Sequence, residues 1–422
     1  MSKMSKVRKA LCLLASVILL LIPLARIVSA KWHNLYLMDL AASCAVARAL
    51  FSGMNPFPDH MEVLMFSFGN DVPIVYPGQM LLFALPGFAW SDALQIGYLV
   101  LNVLIVLFVT ALTLVRACGY RWQDFLRPGL RQLFFAVCAF AYLSSWNVLQ
   151  TMRIGQIPVI LTFCLYGLFW LPRLKFFQPL FFAIIAVAKY SLLTVFAPLL
   201  FFKGHRKLCL VAFAIFVLLS LSPVLCGNSL IEVYQGYFEA VVSLFKPTGV
   251  NHYSQAGITS CHLGFFLSPV ANLILKGIAA VPILWLLWRE MKSRAVSDTL
   301  LLCVLSLTML ISYHSLHDYS LVFPLFFIRL FAFAKERNWR YFGIPACFPA
   351  YLMLPGSVIE RVGAMIGRIP HVGSFIWLSN PGWSKYRGIF PLTAFFAIAL
   401  AIWSLHLYRK VKDPYVFTVQ DS

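Results

Sequence analysis

The sequence predicts an all-α protein that crosses a membrane many times, and three observations predict it. Of 422 residues, 61% are hydrophobic, 16% aromatic and only 12% charged, whereas a soluble domain carries roughly 25% charge. In water such a chain would leave apolar patches far larger than soluble proteins tolerate. The apolar residues also gather into runs long enough to cross a bilayer core, which takes about 20 residues of helix. Finally, the net charge of +19 sits in clusters between those runs, as Lys and Arg kept in cytoplasmic loops do. In a soluble protein this charge would point to nucleic acid; here loop charge accounts for it, and no nucleic-acid partner is expected.

The N-terminus has the form of a secretory signal. Lys3, Lys6, Arg8 and Lys9 precede the apolar run 11–24, and Ile27-Val28-Ser29-Ala30 resembles a cleavage site. Because more multi-span chain follows, the segment reads as an uncleaved first crossing at 10–28. Further crossings are expected at 94–115, 132–150, 154–172, 208–226, 266–288, 298–313, 319–334, 341–355 and 388–408, about ten in all. With the N-terminus in the cytoplasm, Arg116/Arg121/Arg127/Arg131, Arg173/Lys175, Arg289/Lys292/Arg294, Lys335/Arg337/Arg340 and Arg409/Lys410/Lys412 all fall inside, as the positive-inside rule requires. Both termini are then cytoplasmic, in a plasma or inner membrane. Lys203, Arg206 and Lys207 join them only if segment 178–202 enters and leaves on the cytoplasmic side. Pro179, Lys189 and Pro198 fit a broken hairpin there, which needs protein or a cavity to cover its irregular backbone. The run 78–90, with Pro86 and Gly87, invites the same reading on the outer side.

No internal repeat divides the chain, so 1–422 reads as a single transmembrane domain. Three outer loops are long: 29–77, 227–262 and 356–387. Loops of that length are usually functional or disordered; the Trp, Tyr, Phe, Pro and Gly in these favour order. Within the first, 37–52 has apolar residues at helical spacing and fits a helix along the membrane interface. The ten Cys show no CxxC or CxxH spacing and mostly lie in apolar runs, as small hydrophobes do. The acids are biased outward: Asp39, Asp59, Glu62, Asp71, Asp92, Glu232, Glu239, Asp318 and Glu360 all land on that face. Acids contribute little to orientation, so either loop solubility or chemistry on the outer face explains the bias.

The first outer loop orders its polar residues distinctively. Tyr36-Leu37-Met38-Asp39 follows the first crossing. Arg48, Gly53-Met54-Asn55-Pro56-Phe57 and Val75-Tyr76-Pro77-Gly78 come next. Further on stand Arg153-Ile154-Gly155-Gln156 at an outer helix end, Ala188-Lys189 inside the broken segment, and His314 with His317-Asp318-Tyr319 in a late outer turn. This order over roughly 30–330 resembles glycosyltransferase family 87. Two departures stand out: Gly78 where the family often has a second Pro, and Pro158 where it often has Asn. The resemblance implies a GT-C-type membrane transferase that takes a hexose, mannose by default, from a polyprenyl-phosphate donor to a lipid- or glycan-linked acceptor. It implies that Arg153, Gln156 and Lys189 bind the donor phosphate, that Arg48, Tyr76 and Asp318 contact substrate, and that His314 and His317 belong to the catalytic cluster. No cofactor is implied.

The residues support such chemistry on their own terms. A sugar hydroxyl has a pKa far above 7, so its attack on an anomeric carbon gains from a general base. The leaving lipid phosphate needs no paired acid, unlike the two carboxylates of a glycoside hydrolase. One outer-face carboxylate suffices, and Asp39 is the candidate; the alternative is an N-cap for a helix at 40–51. Phosphate charge calls for cations. Lys189, an ionisable residue within a membrane segment, is a functional candidate, with a snorkelling Lys as the plainer reading. Arg153 equally fits an interface anchor. His314 and His317 fit phosphate binding, orientation of Asp39, acceptor contact or a structural role. With Asp318, and with Asp59, His60 and Glu62 as further donors, the cluster has metal-like residues at weak spacing, and no metal is assigned. Tyr234, Tyr237, His252, Tyr253 and His262 fit either sugar stacking or an interfacial aromatic belt.

Other function classes fit less well. A transporter or lipid flippase would suit the broken segment with Lys189 but usually shows repeated halves. A glycan polymerase or ligase would carry more Arg in its outer loops. A scaffold would leave the polar outer order incidental.

Overall fold

The computed structural model describes residues 6–29, 37–53, 82–83, 91–245, 269–292, 296–311, 320–335 and 416–417, with 89 and 346. The first long helix, α1 (Lys6–Ser29), leads to the short α2 (Met38–Phe51). A second long helix, α3 (Asp92–Cys118), starts where the Ser91 hydroxyl accepts from the Leu94 N–H at 3.3 Å. It stops at Gly119, whose φ of +66° is the left-handed conformation that favours glycine. One face of α3 buries Ile105, Val106 and Val109; the opposite face leaves Ile96, Val100, Leu101 and Leu104 exposed. An apolar face without protein cover is what a lipid-facing helix presents, since lipid replaces the missing packing partner.

After α4 (Trp122–Leu126), the segment expected as one crossing at 132–150 is two helices, α5 (Leu130–Ser144) and α6 (Trp146–Ile154). They meet at 66°. At the junction Ser145 is extended, with ψ 137°, and its hydroxyl donates to the Tyr142 carbonyl at 2.6 Å, a local bond that an interrupted helix ladder accommodates. The next helix, α7 (Pro158–Trp170), is buried almost all round, as an apolar helix at the centre of a bundle should be.

The broken segment follows. α8 (Gln178–Ala188) ends at Lys189, and the chain continues through a 3-10 turn (Tyr190–Val195) and α9 (Phe196–Leu200) to α10 (Lys203–Ser220). Tyr190 packs its ring at 5.9 Å from that of Phe216, near the far end of α10. Helices α8 and α10 therefore run side by side in the same direction, and residues 190–202 return from the far end of α8 to the start of α10. This is the expected hairpin, with Lys189 at its tip. A further helix, α11 (Leu230–Phe245), lies within the expected loop 227–262, and residues 246–262 lie outside the described residues.

The last described helices are α12 (Pro269–Lys292), α13 (Asp298–Ile311) and α14 (Phe323–Lys335). Between α12 and α13 the strand β1 (Val296–Ser297) pairs antiparallel with β2 (Val416–Phe417) over two residues. Apart from that rung, the described residues form an all-helical bundle. Its core joins α3, α5, α7, α8, α13 and α14, with Tyr142 stacked on Phe323 at 5.0 Å and Tyr166 and Phe182 fully buried.

A buried ion pair ties one end of the bundle. Asp298, 5% exposed, accepts from the Arg116 guanidinium at 2.7 Å and from the Trp170 indole at 2.8 Å. The Arg116 guanidinium also lies 5.4 Å above the Trp170 ring. The ends of α3 and α7 and the start of α13 thus share one level, which matches the alternation of directions expected from the basic clusters.

Among the described residues α1 and α3 are long and apolar enough to cross a membrane singly, and α5 with α6 form a bent third. The chain is a helical membrane protein with at least two apolar spans. The expected crossings at 341–355 and 388–408 lie, but for residue 346, outside the described residues, as do the loop 356–387 and most of 29–77.

Candidate active site

At the end away from Asp298, the turn between α6 and α7 is built directly onto the start of α2. The Leu37 N–H donates to the Arg153 carbonyl at 2.6 Å. Leu37 is fully buried and is the one non-glycine among the described residues with positive φ, at 54°. Such a conformation costs about 1–2 kcal/mol for an L-residue and persists only where surrounding contacts hold it.

Those contacts come from Gly155. It caps α6 at φ +83°, and the N–H groups of Gly155 and Gln156 both reach the Thr151 carbonyl, at 3.0 and 2.9 Å. A Cβ at Gly155 would lie 2.5 Å from the Leu40 Cβ, 3.0 Å from the Leu40 backbone N and 3.2 Å from the Leu37 Cα. Only glycine permits both this φ and this approach. The Gly-Gln pair of the sequence is therefore a contact between two helices, one residue from Asp39.

Asp39 is the second residue of α2. The cap position belongs to Leu37, whose side chain makes no capping bond, so the alternative of Asp39 as an N-cap is excluded. Arg48 is exposed in the last turn of α2. Nine residues are two and a half turns and about 13.5 Å of rise, which places positions 39 and 48 on opposite sides of the helix; the structure does not bring them together.

Lys189 reaches the same neighbourhood through its neighbour. Its own backbone is extended, with its N–H on the Ile185 carbonyl at 3.1 Å and its carbonyl accepting from Leu192 at 2.8 Å. Tyr190 packs against the apolar cluster formed by Leu37, Leu40 and Cys44 of α2, Tyr98 of α3 and Val233 and Tyr237 of α11. The Tyr234 hydroxyl donates to the Ser220 carbonyl at 2.8 Å and so accepts from Tyr190 at 3.3 Å. The tip of the hairpin is held to α10 and α11 by these two bonds. Lys189 and Arg153 are half-buried, as is Gln156.

Among the described residues the thiol in this cluster is Cys44, and burial pushes it up to about 12, with Arg48 pulling the other way. It stays protonated and offers no nucleophile.

Tyr76, His314, His317 and Asp318 lie outside the described residues, as do Asp59, His60 and Glu62. The sequence reading missed Tyr98: its hydroxyl donates to the Gln156 carbonyl while its ring packs in the α2 cluster, and a Tyr early in an apolar helix carries no signal of that role. It also missed why Gly155 matters, although the Gly-Gln pair itself was visible.

Eighteen residues of α3 separate Tyr98 from Arg116, about 27 Å of helix rise, close to the thickness of a bilayer core. The candidate site and the Asp298 ion pair thus stand one bilayer apart.

The sequence model of glycosyltransferase family 87 matches residues 75–312, more than half of the chain. The match takes in Tyr76, Arg153, Gln156 and Lys189; Asp39, Arg48, His314, His317 and Asp318 fall outside it. No curated protein and no solved structure matches the chain.

Proposed function

The chain belongs to glycosyltransferase family 87 and is a membrane glycosyltransferase; from that premise we propose that it moves a hexose, mannose by preference, from a polyprenyl-phosphate donor to a lipid- or glycan-linked acceptor on the outer face of the plasma or inner membrane. The observation that supports this reading is the contact of the Gly155-Gln156 turn with the start of α2, one residue from Asp39.

The reaction is a single displacement. The acceptor oxygen bonds to the anomeric carbon as the bond from that carbon to the phosphate oxygen breaks, so configuration inverts and polyprenyl phosphate departs. Asp39 takes the acceptor proton. Lys189, Arg153 and Gln156 hold the phosphate as its charge grows. His314 and His317 complete the catalytic cluster, and Arg48, Tyr76 and Asp318 contact the substrates. The basic Arg116 end faces the cytoplasm, so the site opens outward, and both termini are cytoplasmic.

A transporter or flippase is the second reading, favoured by one observation: Lys189 sits at the break of a re-entrant hairpin. The two separate on covalent chemistry. Proteoliposomes holding the protein and total lipid from its source cells are given synthetic polyprenyl-phosphate mannose labelled in the sugar. Transferase activity moves label onto a new lipid or glycan with inverted configuration. A transporter leaves every label on its original carrier, and that result across hexoses would replace the reading.

A further inference from the structure

We propose that Tyr98 is a positioning residue for the candidate base: it clamps the Gly155-Gln156 turn so that the first turn of α2, and with it Asp39, is held in one place. The inference rests on the reading of Asp39 as the general base.

The clamp is a chain of three contacts from three helices. From α3, the Tyr98 hydroxyl donates to the Gln156 carbonyl. One residue back, Gly155 lies so close to Leu40 that no Cβ fits between them. Two residues further back, the Arg153 carbonyl accepts from the Leu37 N–H at 2.6 Å. Leu37 is held at φ 54°, a conformation that relaxes unless neighbours enforce it. Removal of the Tyr98 hydroxyl frees the Gln156 carbonyl, lets the turn withdraw, and opens a path for Leu37 to return to negative φ. Asp39, two residues on, then moves with the helix start.

Phenylalanine at position 98 keeps the ring, which packs in the α2 cluster, and removes the hydroxyl that donates to the Gln156 carbonyl. A displacement of about 1 Å at a reacting group costs on the order of 100-fold in rate, so a looser clamp lowers kcat, and it raises donor KM because Arg153 and Gln156 ride on the same turn.

The experiment compares wild type, Tyr98→Phe, Asp39→Glu and the double variant in the same proteoliposomes, with polyprenyl-phosphate mannose as donor. Amide hydrogen exchange is measured on each. Tyr98→Phe is expected to lose about 10-fold or more in kcat, with a raised donor KM because Arg153 and Gln156 loosen with the turn. Exchange is expected to quicken at 37–41 and 153–157 and to stay at the wild-type rate along α3. In the Asp39→Glu background, whose carboxylate is already displaced by one methylene, Tyr98→Phe is expected to add less than it does alone. Wild-type exchange at 37–41 in Tyr98→Phe overturns the clamp. Full kcat in Tyr98→Phe beside a slow Asp39→Glu overturns its catalytic consequence while the base reading stands. If wild type moves no sugar at all, the transfer reading fails, and the exchange rates alone decide the clamp.

Discussion

Gly155 shows how much a single side chain decides here. Alanine at that position must adopt φ +83° and meet the Leu40 backbone N at 3.0 Å, an atom that cannot swing aside. The conformation alone costs about 1–2 kcal/mol, and the contact is relieved only by moving α2 away from α6. Gly155→Ala is therefore expected to lose about 10-fold to 100-fold in transfer rate while the protein still reaches the membrane; a Gly155→Ala enzyme of wild-type rate would mean that the α2 contact is irrelevant to catalysis. The polar residues of this site were readable because they stand out in apolar sequence: Asp39 follows the first crossing, Lys189 interrupts a greasy segment, and Gly-Gln marks a helix end. What position each occupies was less readable. By its position Asp39 fitted a capping role better than a catalytic one until Leu37 proved to hold the cap with a left-handed backbone, and nothing in the sequence around Leu37 announces positive φ. Tyr98 looks like any interfacial tyrosine until its partner, 58 residues away, is known.

At the level of the element, apolar run length marked most helices and misjudged their continuity. The run at 132–150 is apolar enough to read as one crossing, yet the chain turns at Ser145, whose backbone is extended at ψ 137°. The hairpin at 178–202 was legible for the opposite reason, since two prolines, a lysine and a basic cluster on the wrong side left no straight crossing consistent with the charges. The pairing of helices at the Arg116 end could not be read, because Asp298 and Arg116 are 182 residues apart. That pair makes a test at this scale. Removing one member of a buried ion pair leaves the other uncompensated and costs about 3–5 kcal/mol; Arg116 keeps 18% exposure, so the lower end, about 3 kcal/mol, applies. Asp298→Ala is expected to lower the melting temperature in detergent clearly, and Asp298→Asn to lower it less, because its amide oxygen still accepts from Trp170. Equal melting of both variants and wild type would show that the three helices are joined by packing alone.

In the whole molecule two ends stand one bilayer apart, a basic end closed by Asp298 and the end at the start of α2 where the proposed chemistry takes place. Cys118, the last residue of α3, is exposed at the basic end. A variant retaining Cys118 as its one cysteine is expected to react with a membrane-impermeant maleimide only after the cells are opened; labelling in intact cells would invert the topology and move the α2 site inside. The central claim is transfer of a sugar with Asp39 as base, and it is met most directly by transfer from labelled polyprenyl-phosphate mannose in proteoliposomes, wild type against Asp39→Asn at equal expression. The account predicts label on a new lipid or glycan with the wild type and a loss of about 100-fold or more with the variant, within the range that general-base catalysis supplies. Equal transfer by both would contradict it.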